Sequence, residues 1–223
     1  MSMFTTVLNH GVRPLAQLAL RPSIRGAHHV PHSGPVILAS NHLSFVDSVV
    51  IPLALPRPVT FLAKAEYFEG RGVSGWLSRR FFLEMGHVPV QRGHGRAVWE
   101  SMRVAQEVLA GGGALGIYPE GTRSSDGRLY RGRTGVARLA LVTGVPVIPV
   151  ALAGTARVQP VGSRVPRPHK VTAQFGPPLE FSRYAGMHGK VSVLRAVTDE
   201  IVDAIRALSG QEYVDAYHPV AAA

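Results

Sequence analysis

The sequence predicts a single α/β domain, a layered fold whose largely parallel or mixed central sheet is flanked by helices and preceded by an amphipathic helix. Three observations predict it. Short β-like apolar runs alternate with runs of helical periodicity along most of the chain, the pattern of strands covered by crossover helices. The length of 223 residues suits one large domain better than two. Hydrophobic residues make up 46 %, enough to bury a full core and unlike a disordered chain.

Each element follows from its residues. Phe4, Val7, Leu8, Val12, Leu15, Leu18 and Ala19 recur at helical spacing, so residues 3–20 form an amphipathic helix that Arg21-Pro22 ends. Residues 36–39 read as a strand and 45–55 as a helix closed by Pro56. Strands are expected at 59–63, 87–90, 114–118, 145–152 and 171–175. Helices are expected at 73–82, 96–110, 134–143 and 191–208. The Pro- and Arg-rich stretch 160–170 is a loop, and residues 218–223 read as a frayed tail. The organisation expected is a membrane-associating helix over 1–25, a domain over 26–217 and the tail.

Charge narrows the partners. Lys plus Arg outnumber Asp plus Glu by 24 to 14, a net charge of +10, which favours anionic partners. Nucleic acid is not expected, because no stacking array, zinc pattern or recognition helix stands out. The chain has no cysteine, which excludes disulfides and thiolate chemistry and fits a reducing compartment. No apolar run reaches the ~18–20 residues of a membrane-spanning helix, and residues 1–20 lack a signal peptide's basic start and cleavage site. His28, His29 and His32 have no carboxylate nearby, so no metal site is expected. The run Gly111 to Gly116 matches a dinucleotide fingerprint only literally. It follows a helix and opens a strand, so it reads as a helix stop.

Two clusters carry chemistry. Asn41-His42-Leu43-Ser44-Phe45-Val46-Asp47 follows a predicted strand. A histidine serves as general base near neutral pH when a carboxylate orients its other ring nitrogen. On an unbroken helix these two side chains lie roughly 140° apart, so they meet only if the chain bends between them. Ser44 as an N-cap would supply the bend. Ser44 and Asp47 also fit a capping box, in which Asp47 only satisfies a helix start. The second cluster, Tyr118-Pro119-Glu120-Gly121-Thr122-Arg123-Ser124, follows another predicted strand. Gly121 lets backbone amides at Gly121 and Thr122 approach a ligand, and the Arg123 fork matches phosphate; an ordinary polar turn is the alternative.

Together these clusters resemble the 1-acylglycerol-3-phosphate acyltransferase family. Two further blocks support the likeness: residues 61–68 with 86–92, and residues 145–150. One departure is Arg131-Gly132-Arg133, where the family often carries Lys-Gly. The resemblance implies acyl transfer from acyl-CoA or an acyl carrier protein to lysophosphatidic acid, forming phosphatidic acid with no bound cofactor. It implies His42 as general base and Asp47 as its orienting group, with Asn41 and Ser44 in support. It also assigns the acceptor phosphate to Arg123 and Lys64, with Arg92 as a third cation; Glu120 is expected to orient Arg123. Glycerol 3-phosphate or another lysophospholipid is an alternative acceptor, and a non-catalytic lipid-binding relative is a further alternative. Such a protein is expected at the cytoplasmic face of an anionic membrane, bound peripherally. Trp76, Leu77, Arg79, Arg80, Phe81 and Phe82 are the membrane-facing candidates, with a core-packed helix as the other reading.

Overall fold

The computed structural model describes residues 13–91, 95–163 and 165–219. Nine strands alternate with helices among them: β1 (Ser23–Arg25), β2 (Val36–Ser40), β3 (Val59–Lys64), β4 (Val88–Val90), β5 (Ala114–Ile117), β6 (Leu129–Tyr130), β7 (Val147–Ala153), β8 (Thr172–Phe175) and β9 (Tyr213–Val214). The helices are α1 (Arg13–Leu20), α2 (Asp47–Leu53), α3 (Gly72–Glu84), α4 (Arg96–Ala110), α5 (Gly135–Thr143), α6 (Thr155–Val158) and α7 (Val191–Ser209).

Seven strands form one sheet in the order β1-β8-β7-β2-β5-β3-β4. Every neighbouring pair is parallel except β7 with β8. The central strand β2 reads Val-Ile-Leu-Ala-Ser and is buried at all five positions, as a parallel strand covered on both faces must be. Its period-two alternation divides the core. Ile37 and Ala39 join Leu115, Val147 and the inner faces of α4, α5 and α7. Val36 and Leu38 join Phe61, Ile148, Val150 and the α2 residues Val50 and Ile51. Parallel strands all point the same way, so β2, β3, β5 and β7 deliver their C-terminal residues to one end of the sheet. At the other end, the Arg57 guanidinium donates to the carbonyls of Pro31, Gly34 and Gly112, tying together the loops that enter the strands.

Expected and observed elements agree closely for the long ones. The helix expected at 45–55 starts later, at Asp47, because the Asp47 carboxylate binds the backbone ahead of it. Strands β1, β6 and β9 have no counterpart among the expected elements. Each is two or three residues long and exists by pairing with a distant partner, β8 for β1 and β9 for β6. Of the helix expected over 3–20, residues 13–20 are helical as α1; residues 3–12 lie outside the described residues. Among the described residues, no helix is long and apolar enough to cross a membrane.

Candidate active site

The turn after β2 is organised by one carboxylate. Asp47 is fully buried, and its Oδ2 accepts the backbone N–H groups of Leu43 at 2.7 Å and Ser44 at 2.8 Å. The same oxygen lies 2.9 Å from His42 Nδ1. The chain therefore bends back around Asp47, and the imidazole and carboxylate meet despite their opposed helical phases. The bend keeps part of the expected capping box: Asp47 accepts the Ser44 N–H and Ser44 Oγ accepts the Val46 N–H at 3.4 Å. Val46 occupies the N-cap of α2, and the Ser44 hydroxyl also donates to the Gln159 carbonyl at 2.7 Å. A carboxylate at Nδ1 makes that nitrogen the proton-bearing one in neutral imidazole and leaves Nε2 as the basic nitrogen. Asn41, also buried, continues the β2–β7 pairing through its side chain. Its amide donates to the Leu152 carbonyl and its oxygen accepts the Leu152 N–H, while Nδ2 also donates to Gln211 Oε1 at 2.7 Å.

The loop after β5 grips His42 from the other side. Glu120 Oε1 accepts the His42 N–H at 3.1 Å, and Ser124 N donates to the His42 carbonyl at 2.7 Å. Residues 121–123 are thereby bracketed between two bonds to the His42 backbone. The second Glu120 oxygen accepts the Tyr130 N–H at 3.0 Å. Glu120 does not orient Arg123 as expected. Both its oxygens hold main chain, and among the described residues the Arg123 guanidinium makes no hydrogen bond or ion pair with it. Burial pushes the Glu120 carboxyl up from 4.5 to about 7, against the opposing pull of the two N–H donors. Gly121 has φ +76, so the tight turn favours glycine, and a Cβ there would sit 3.1 Å from Cδ and Nε of the overlying Arg133 side chain. Thr122 and Arg123 are half-buried.

Tyr118, the first residue of the second cluster, stacks on His42. The ring centroids are 3.8 Å apart and the planes 7° apart. Phe61 backs Tyr118 at 5.5 Å, and buried His87 backs Phe61 at 5.6 Å. Burial lowers the His87 pKa to about 4, so His87 is a neutral member of this stack near pH 7. No spacing rule signals such a stack, because its members come from four separate segments.

The remaining expected residues divide. Lys64 closes β3 at the same sheet end, but its side chain, like the whole of Arg92, lies outside the described residues. Trp76 and Leu77 are exposed, at 59 % and 48 %, and Arg79 is exposed. Arg80 pairs with Glu84 at 3.0 Å. Phe81 is half-buried. Phe82 cannot face a membrane: it is buried against Phe45, Tyr67, Phe68 and His87. The reason is helical phase, since Phe82 lies two turns beyond buried Gly75 and shares its inward face. A cavity of about 380 Å³ opens at the far end of α2, between Ala16, Val49, Pro52, Phe81 and Met85; it is not at His42. His29 Nδ1–H donates to the Phe175 carbonyl at 3.0 Å, a structural bond. No group of three or more His, Asp or Glu among the described residues is placed to hold a metal.

The Acyltransferase family model matches residues 21–153. The chain is 35 % identical over 144 residues to the chloroplastic 1-acyl-sn-glycerol-3-phosphate acyltransferase BAT2 of Brassica napus, covering 64 % of this chain and 40 % of that protein. It is 30 % identical over 135 residues to the human 1-acyl-sn-glycerol-3-phosphate acyltransferase alpha, covering 60 % of this chain and 46 % of that one. The chain thus spans less than half the length of these curated relatives. The crystal structure of the 1-acyl-sn-glycerophosphate acyltransferase PlsC from Thermotoga maritima superposes with a TM-score of 0.65 at 26 % identity, covering 91 % of this chain and 78 % of that one.

Proposed function

Since the chain belongs to the acyltransferase family, we propose that it moves a fatty acyl group from a thioester, acyl-CoA or acyl carrier protein, to the free hydroxyl of 1-acylglycerol 3-phosphate. The observation that carries this reading is the 2.9 Å contact between His42 Nδ1 and buried Asp47, beside a turn bearing Arg123 that is bonded to His42 at both ends.

The chemistry follows from that arrangement. His42 Nε2 takes the proton of the acceptor hydroxyl while the oxygen attacks the thioester carbonyl carbon. Asp47 stabilises the imidazolium that forms. The tetrahedral intermediate collapses, the C–S bond breaks, and the imidazolium returns its proton to the departing thiolate. The products are a new ester and a free thiol. No enzyme nucleophile is needed, which suits a chain without cysteine. Arg123 serves the acceptor phosphate, with Lys64 and Arg92 as further cations and the Thr122 amide as a donor; the expected Gly121 amide does not serve, because it donates to the Tyr118 carbonyl at 3.0 Å.

Purified protein given acyl-CoA and 1-acylglycerol 3-phosphate is expected to release thiol and form phosphatidic acid. Absence of thiol release across a panel of hydroxyl acceptors overturns the reading. Arg123→Ala is expected to lower kcat/KM for the phosphorylated acceptor roughly ten- to a hundred-fold, the scale of one charge-assisted bond. Turnover of the matching dephosphorylated acceptor is expected to change little. An equal loss on both removes the phosphate role.

The substrates are lipids, so the protein works at a bilayer, bound peripherally at the cytoplasmic face. Leu15 and Leu18 on α1 are 67 % and 75 % exposed, and α3 presents Val73, Trp76 and Leu77. With a net charge of +10, binding to phosphatidylglycerol vesicles is expected to weaken as salt rises from roughly 0.1 to 1 M, where the screening length shrinks from about 10 to 3 Å. Binding that ignores salt removes the electrostatic part of this proposal.

A further inference from the structure

We propose that Tyr118 is a positioning residue for His42, acting through the face of its ring and not through its hydroxyl. The proposal rests on the acyltransferase reading of His42.

A hydrogen bond at Nδ1 holds an imidazole at one point and leaves it able to rock about that contact. The Tyr118 face, 3.8 Å away and within 7° of parallel, opposes that motion. With Asp47 at the edge and Tyr118 on the face, the direction of Nε2 is set before substrate arrives. Misplacing a catalytic group by about 1 Å costs roughly a hundred-fold in rate, so a face-on stop of this kind has a kinetic consequence.

Tyr118 is itself well held. Pro119 follows it and restricts its backbone to extended conformations. Phe61 lies behind it with 22° between the planes, and Phe61 occupies the space over Gly116. A Cβ on Gly116 would come within 2.2 Å of the Phe61 ring, so only glycine there admits the stack. The Tyr118 hydroxyl is buried without a well-formed hydrogen bond among the described residues. Ser48 is its polar neighbour, but the Ser48 hydroxyl donates to the Phe45 carbonyl. Burial, and then the negative charge of Asp47, push the phenol well above its ordinary range. A phenol held neutral in this way keeps its proton near pH 7 and does not pass it on, while the ring has a clear contact to make. Removing such a hydroxyl costs little, because no good bond is lost.

The test compares Tyr118→Phe with Tyr118→Leu. The phenylalanine variant is expected to keep wild-type kcat within about twofold and to melt no earlier than wild type. The leucine variant is expected to lose about 10–100-fold in kcat while KM stays within about twofold, since no substrate contact is removed. A Tyr118→Leu protein with wild-type kcat overturns the proposal. So does a Tyr118→Phe protein as impaired as the leucine variant, which moves the role to the hydroxyl. A second measurement does not depend on the leucine variant folding. The His42 Cε1 proton, identified by its absence in His42→Ala, is expected upfield of the other histidines in wild type and Tyr118→Phe alike, through the ring current of the stack. A random-coil position in wild type overturns the stack. Wild-type protein that transfers no acyl group overturns the acyltransferase reading instead, while the Cε1 position still reports on the stack.

Discussion

His42→Ala is expected to lower kcat by about 10²–10⁴-fold while leaving the melting temperature nearly unchanged, whereas Asp47→Ala is expected to damage both. The difference lies in what each side chain holds. The His42 side chain is 13 % exposed, and its removal leaves Asp47 Oδ2 still bonded to the Leu43 and Ser44 N–H groups. Removing the Asp47 carboxylate strands those two donors in buried positions, at a cost of roughly 1–3 kcal/mol each. Asp47→Asn separates the two effects. An amide oxygen in the place of Oδ2 keeps both backbone donors and the His42 Nδ1–H, and the amide nitrogen takes the Oδ1 position, which has no hydrogen-bond partner among the described residues. What is lost is the negative charge that stabilises the imidazolium, and turnover is expected to fall by about 10²–10⁴-fold, the worth of general-base action, with most of the fold's stability kept. Steady-state kinetics beside thermal melts of the three variants check this. Wild-type turnover in the Asp47→Asn protein removes the charge of Asp47 from the mechanism.

Glu120→Ala is expected to cost stability and activity together, since two buried main-chain donors and the grip on His42 depend on one carboxyl. At roughly 1–3 kcal/mol for each stranded donor, it is among the more damaging single substitutions available. Glu120 also gives stability a defined slope with pH. Its carboxyl titrates near 4.5 in the unfolded chain and at about 7 in the fold. Between those values the folded state binds the proton and the unfolded state does not, so stability falls as pH rises from about 4.5 to about 7 and is level above. Each unit is worth about 1.4 kcal/mol, giving ~3 kcal/mol at most across the window. Glu120→Gln cannot titrate. Denaturant melts of wild type and Glu120→Gln between pH 4.5 and 8 should therefore show the variant gaining on wild type as pH rises. A constant difference between the two curves sinks the assignment.

Much of this was legible in the residues, for identifiable reasons. Five buried residues in a row made β2 readable, and fifteen residues of strong periodicity made α4 readable to both ends. The meeting of His42 and Asp47 followed from needing a bend between them, and the Ser44–Asp47 capping contact forms as their spacing suggested. Spacing did not tell that the same carboxylate oxygen also takes Leu43 N–H and His42 Nδ1, so the capping and orienting roles, weighed as alternatives, coexist. Glu120 beside Arg123 invited an ion pair, and only the fold reveals that two backbone donors reach its carboxyl first. Phe82 looked interfacial because its neighbours are basic and aromatic, yet helical phase alone, counted from Gly75, points it inward. The stack of Tyr118 on His42 had no signal, because its geometry is set by how β2 and β5 lie side by side.

The edge strand β1 completes the sheet only by pairing with β8, and His29 reaches Phe175 across 146 positions of chain. During translation at about 5–20 residues per second, β1 waits on the order of ten seconds for that partner to be made. Throughout that wait α1 lacks its anchor on the far side, where the Leu20 carbonyl accepts the Val171 N–H. A nascent chain paused before residue 172 is therefore expected to leave β1 unpaired, and one paused well after Phe175 to hold it against β8.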